Sequence, residues 1–178
     1  MLDLGRIFAA FFFLLLGLVS RNTTMGGGPV HTYRIPSSSM EPTLRCARPA
    51  PGCSGKEDDE IIVKPARRAL RRGDIVAFRT PPAAVQSCGS GGTFLKRVIG
   101  LPGDRLAYDG TVLRVDGKRI REPYVEPKRR GGVSGSWRVP RGGYFVLGDA
   151  RNDSCDARVW GALPKRNVIG VVVKIVHH

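Results

Sequence analysis

Residues 93–120 read TFLKRVIGLPGDRLAYDGTVLRVDGKRI, and the segment changes character at its middle. The first part is an apolar, strand-like run broken by one cationic step, Lys96-Arg97. The second alternates apolar and polar residues around two Asp-Gly steps, Asp109-Gly110 and Asp116-Gly117. Asp-Gly between alternating segments is a hairpin signal, because a type I′ turn needs positive φ at both central residues. Leu106–Tyr108, Val112–Val115 and Arg119-Ile120 therefore form a hairpin or meander.

The pattern repeats outward in both directions. His31–Ile35, Ile61–Val63 and Ile75–Phe78 read as short strands, the last apolar throughout and so buried on both faces. Thr80–Gly92 is rich in Pro, Gly and Ser and reads as a loop. Downstream come a basic glycine-containing loop (Pro127–Ser136), strands at Trp137–Val139 and Tyr144–Leu147, a loop at Gly161–Pro164 and a terminal strand at Val168–Val176. Nothing from residue 23 onward sustains a helical period, and the links are short. The expected fold is mainly β, an antiparallel β-sheet domain spanning residues 23–178.

The 178 residues suit one domain with a small appendage, and 23 Gly with 13 Pro fit many turns. A net charge of +14 favours nucleic acid or an anionic membrane surface. The 22 Arg and seven Lys are spread along the chain, with no arginine-rich block interleaved with aromatics, so no nucleic acid partner is expected. Ile7–Val19, IFAAFFFLLLGLV, is an apolar run that would make a helix of about 20 Å. Extended to Leu2–Ser20 it reaches about 28 Å, close to the roughly 30 Å of a hydrocarbon core. A signal-peptide core is the competing reading, but Leu18-Val19-Ser20 is a poor cleavage site. Residues 1–22 are read as an uncleaved single-pass membrane anchor in contact with lipid, its orientation weakly specified because arginines flank both ends. A Gly-containing linker, Arg21–Val30, follows.

Cys46, Cys53, Cys88 and Cys155 match no zinc spacing, and no metal site or cofactor is expected. An even number beyond an anchor fits disulfides in an oxidising compartment. Three connectivities are possible. The short bracket Cys46–Cys53 reads as a locally closed loop, which leaves Cys88 for Cys155.

For chemistry, the chain offers a serine cluster, Pro36-Ser37-Ser38-Ser39-Met40-Glu41-Pro42-Thr43, and three histidines, His31, His177 and His178. Two histidines sit at the end of the chain and one beside the linker, which disfavours a Ser-His-Asp triad. Lysine is the remaining base. Burial disfavours the ammonium, and a drop of about three pH units, worth roughly 4 kcal/mol, would let Lys96 take a hydroxyl proton. The ordinary alternative is a Lys96 that snorkels from a strand edge.

Three segments occur in order: IPSSSMEPT (35–43), then GDIVAF with FLKRVIGLPGD, then GDARNDSCDARVWG (148–161). Together they resemble the type I signal peptidases, membrane-anchored Ser/Lys proteases that remove signal peptides. The resemblance implies an antiparallel β catalytic domain with a small β cap, here residues 105–136, on the extracytoplasmic side of the cell membrane. It implies preprotein substrates cleaved after small residues at −3 and −1, near the secretion translocon. Matched by position, Ser39 is the nucleophile and Lys96 the general base. Ser37 and the Ser39 backbone N–H form the oxyanion hole, and Ser154 orients the lysine amine. Asp156 and Arg158 are the bracing ion pair. Ser38 stands where the family most often has glycine, and Ala150, Asn152-Asp153 and Ala157 depart from its asparagine- and serine-rich last segment. Cys155, between Ser154 and Asp156, reads as a disulfide clamp on that segment. A cytoplasmic self-cleaving repressor with the same dyad would need a DNA-binding helical module where the apolar segment stands. A tethered, non-catalytic binding protein would make the dyad accidental.

Overall fold

The computed structural model describes residues 28–178; the anchor expected at residues 1–22 lies outside the described residues. The strands are β1 His31–Arg34, β2 Glu60–Lys64, β3 Ile75–Arg79, β4 Thr93–Gly100, β5 Arg105–Tyr108, β6 Leu113–Val115, β7 Lys118–Arg119, β8 Gly135–Arg138, β9 Gly143–Leu147, β10 Leu163–Pro164 and β11 Val168–Val176. Two short helices join them, α1 Pro82–Cys88 and α2 Ala157–Trp160. A seven-stranded sheet has the order β1-β2-β11-β3-β4-β9-β10, and a four-stranded sheet the order β7-β6-β5-β8. All pairings between these strands are antiparallel.

The small sheet is an excursion from the large one. β4 and β9 are neighbours in the large sheet, and the chain between them builds β5 to β8 before returning. It extends two residues beyond the expected 105–136, because β8 pairs with β5 along its whole length to Arg138. The β6–β7 hairpin turns on Asp116 (φ 49°) and Gly117 (φ 78°), the two positive φ values a type I′ turn requires. At the other Asp-Gly step, the Asp109 carboxylate accepts from the N–H groups of Thr111 (2.8 Å) and Val112 (2.7 Å), closing the longer β5–β6 connection.

The middle of the large sheet is buried on both faces. Along β3, Val76 and Phe78 enter one cluster with Val98, Phe145 and Trp160, which Leu106 and Leu113 of the small sheet complete. Ile75 and Ala77 enter the other, with Ile35, Met40, Leu44, Ile61 and Val63. Two buried faces explain why β3 is apolar without alternation.

The expected loop Thr80–Gly92 contains α1. Its prolines and glycines lie at the ends of the helix, where they favour one: Pro82 at the start and Gly89 in the left-handed region after it (φ 68°). The interior, Ala83-Ala84-Val85-Gln86-Ser87, contains good helix formers. α2 is likewise capped by Asp156, whose side chain accepts from the Arg158 N–H. The expected loop Gly161–Pro164 contributes β10, which pairs with Tyr144 and Gly143 of β9.

Candidate active site

The serine cluster follows β1. Ile35 closes that strand's register by donating its N–H to the Asp59 carbonyl at 3.0 Å, and Ser38–Met40 then form a single 3-10 turn. Met40 and Leu44 are buried in the second core cluster, which fixes the far side of the turn and leaves Ser39 half-buried at its rim. Glu41, also buried, accepts from the N–H groups of Cys46 (3.2 Å) and Ser54 (2.9 Å) and from Ser54 Oγ (2.6 Å). Ser37 precedes the turn, but its side chain caps nothing; it is exposed, with Oγ 3.4 Å from Ser39 Oγ.

Lys96 lies on β4 opposite Val76, so its stem points into the apolar side of the sheet and the residue is only 4% exposed. Its Nζ donates to Ser39 Oγ at 2.8 Å and to the Leu95 carbonyl at 3.1 Å, and lies 5.5 Å from the Phe94 ring centre. Burial pulls the amine's pKa from its ordinary 10.5 down to about 8; the carboxylates of Asp156, Asp149 and Asp153 oppose that fall, and Arg158 adds to it. Ser39 and Lys96 border a cleft of about 410 Å³ lined by Tyr33, Ile35, Met40, Phe94, Leu95 and the Cys88–Cys155 disulfide. The other two cysteines, Cys46 and Cys53, are also bonded to each other. Among the described residues, no group of three or more His, Cys, Asp or Glu is disposed to hold a metal ion.

Ser154 lies beside the serine turn: a Cβ built at Gly148 would fall 2.2 Å from Ser154 Oγ and 2.4 Å from the Ser39 carbonyl oxygen. Its hydroxyl is buried and makes no hydrogen bond. The structure therefore departs from the expectation that Ser154 holds the lysine amine. That amine spends its second hydrogen bond on the Leu95 carbonyl, while Ser154 is packed against Gly148. Asp156 and Arg158 meet in a bidentate pair (2.8 and 2.9 Å) with side chains 0% and 1% exposed. Asp156 also accepts from the Gly148 N–H at 3.0 Å, and Arg158 donates to the carbonyls of Arg151 (2.7 Å) and Gly131 (3.1 Å). The pair thus ties α2 both to Gly148, just after β9, and to the small-sheet excursion.

Two buried pairs around the site are absent from the sequence reading. Asp149 accepts from Arg97 Nε (2.9 Å), Arg97 Nη2 (2.6 Å) and Thr43 Oγ1 (2.6 Å), joining the residue after Lys96 to the serine segment. Arg151 pairs with Glu122, both side chains almost fully buried. The signal for the first was available: an arginine in an apolar strand next to Lys96 faces the opposite side and must find an acid there.

The chain matches the family model described as signal peptidase, peptidase S26, over residues 5–177. A probable signal peptidase I-1 of Synechocystis sp. is 37% identical over 141 residues, covering 76% of this chain and 65% of that one. The signal peptidase I of Leptolyngbya laminosa is 36% identical over 145 residues, covering 78% of this chain and 64% of that one. This chain therefore spans less than two thirds of the length of either relative. Signal peptidase I V of Bacillus subtilis is 31% identical over 156 residues, covering 79% of this chain and 82% of that one. A match running from residue 5 to residue 177 takes in all three segments and the strands between them, and on it the chain belongs to the signal peptidase family, peptidase S26.

Proposed function

We propose that this chain is a membrane-anchored serine endopeptidase that removes signal peptides from preproteins, with Ser39 as nucleophile and Lys96 as general base. The observation that carries the reading is the 2.8 Å contact between Lys96 Nζ and Ser39 Oγ, made by an amine whose burial brings its pKa to about 8. In its neutral form Lys96 takes the hydroxyl proton as Ser39 Oγ attacks the carbonyl carbon of the −1 residue. The developing oxyanion is met by the Ser39 backbone N–H and the Ser37 hydroxyl, which caps no helix and lies 3.4 Å from Ser39 Oγ. Lys96 then gives its proton to the leaving amine, and the acyl-enzyme is hydrolysed by a water that Lys96 deprotonates. The apolar cleft beside Ser39 supports an extended, uncharged substrate segment, and small −1 and −3 side chains are the specificity the family resemblance implies. Residues 1–22 anchor the chain in the cell membrane, with residues 23–178 on the extracytoplasmic side, where the preprotein emerges from the translocon.

Processing of a preprotein by the full chain in detergent tests this. Ser39→Ala and Lys96→Ala should each lower kcat by ~10⁴-fold, and in the wild type kcat/KM should rise with pH with an apparent pKa near 8. Undiminished processing by either variant overturns the assignment.

A further inference from the structure

Two residues that depart from the family's pattern meet each other. The Ser38 hydroxyl donates to Asp153 Oδ2 across 115 positions of sequence. Ser38 is buried and immediately precedes Ser39 in the same 3-10 turn. We propose that Asp153 is a positioning residue for the nucleophile, holding through Ser38 the turn that presents the Ser39 hydroxyl and N–H. This rests on the Ser39–Lys96 reading above.

The geometry around the contact supports a lock rather than an incidental surface bond. A second link joins the same two segments, from the Ala150 N–H to the Ser39 carbonyl at 3.2 Å, so the Ser38–Met40 turn is tied to the Ala150–Asp153 stretch at two points. Gly52 closes the contact from a third side. A Cβ there would fall 2.7 Å from Asp153 Oδ2 and 2.8 Å from Ser38 Cβ, and its φ of 77° already disfavours a side chain. Gly52 is itself held: its neighbour Cys53 is bonded to Cys46, and its carbonyl accepts from Arg129 Nη2 at 2.7 Å. With glycine at position 38 this bond could not form. The chain therefore replaces a permissive residue beside its nucleophile with a pinned one. A turn free to rotate at Ser38 would displace the Ser39 N–H and Oγ together, and displacements below 1 Å are costly when reacting atoms must stay aligned.

The test uses the full chain in detergent and a preprotein substrate. Ser38→Ala and Asp153→Ala should each lower kcat about tenfold while KM stays within about twofold, and the double variant should be no worse than either single one. Gly52→Ala should lower kcat with Ser38 and Asp153 intact. Asp153→Asn keeps an acceptor for Ser38 and should recover most of kcat at high pH. The charged groups acting on Lys96 are Asp156, Asp149, Arg158 and Asp153, so losing the last carboxylate moves the acid limb of the pH profile to lower pH in both Asp153 variants. Ser38→Ala should leave that limb in place. Wild-type kcat in Ser38→Ala and Asp153→Ala, or losses that multiply in the double variant, would overturn the proposal. If Asp153→Ala fails to fold, wild-type kcat in Ser38→Ala alone does the same. Activity retained by Ser39→Ala removes the underlying dyad reading instead, which separates the two failures.

Discussion

At position 96 a cation costs the fold stability at neutral pH. An unfolded chain binds the lysine proton below about 10.5, whereas the folded chain refuses it until about 8. As pH falls from 10.5 towards 8 the unfolded state gains a proton that the folded state lacks, so stability is lost over that window and stays at the lower level beneath it. The gap corresponds to about 3 kcal/mol. Lys96→Met keeps the length and apolar stem of the side chain but has nothing to titrate. It also loses the hydrogen bonds to Ser39 and Leu95, a contribution that is constant across the window. The stability of Lys96→Met minus that of wild type should therefore be greatest at pH 7 to 8 and shrink by about 3 kcal/mol as pH approaches 10.5. Urea unfolding of both proteins at several pH values measures this directly, and parallel curves would mean that Lys96 is not desolvated in the folded chain.

Among elements, the outer face of the small sheet carries an avoidable strain. Arg105 stands directly opposite Arg138 on β5 and β8, and Arg114 opposite Arg119 on β6 and β7. All four are exposed, and like charges facing each other across strands cost roughly 0.2–1 kcal/mol per pair. Arg138→Glu and Arg119→Glu should each raise stability by about 0.5 kcal/mol in low salt, an effect that 1 M salt abolishes. A gain that survives high salt would point to propensity rather than charge. This sheet is also where the sequence was most legible, because alternation and Asp-Gly act between residues adjacent in the chain. α1 was not, since counting Pro, Gly and Ser over Thr80–Gly92 ignores that they sit at the helix ends. In the site, Ser39 and Lys96 are readable from residue type and segment order. The contacts among their neighbours are not: Arg97–Asp149, Glu122–Arg151 and Ser38–Asp153 each join segments at least 29 positions apart, and only the folded sheet brings them together.

Across the whole molecule, the last segment is the junction on which the parts converge. Arg151 pairs with Glu122 of the small-sheet excursion, Asp149 with Arg97 of the large sheet, and Asp153 with the serine turn. Cys155 adds a covalent link to Cys88 at the end of α1. The two disulfides differ in the chain they close: 67 positions separate Cys88 and Cys155, and seven separate Cys46 and Cys53. The larger loop contains β4, the whole small sheet and β9, so closing it removes far more freedom from the unfolded chain. In the chain-entropy account the long closure is worth about 4 kcal/mol and the short one about 2.5 kcal/mol. At about 3 °C per kcal/mol for a chain of this size, Cys88→Ser/Cys155→Ser should lower Tm by roughly 12 °C and Cys46→Ser/Cys53→Ser by roughly 7 °C. Thermal unfolding of the full chain in detergent, oxidised and without reductant, ranks the two. Adding reductant to the wild type should approach the sum of both losses and leave a variant lacking all four cysteines unmoved. If the short-loop variant lost as much as the long-loop variant, the disulfides would be acting through folded-state contacts, with the Gly52 wedge against Ser38 and Asp153 the first place to look.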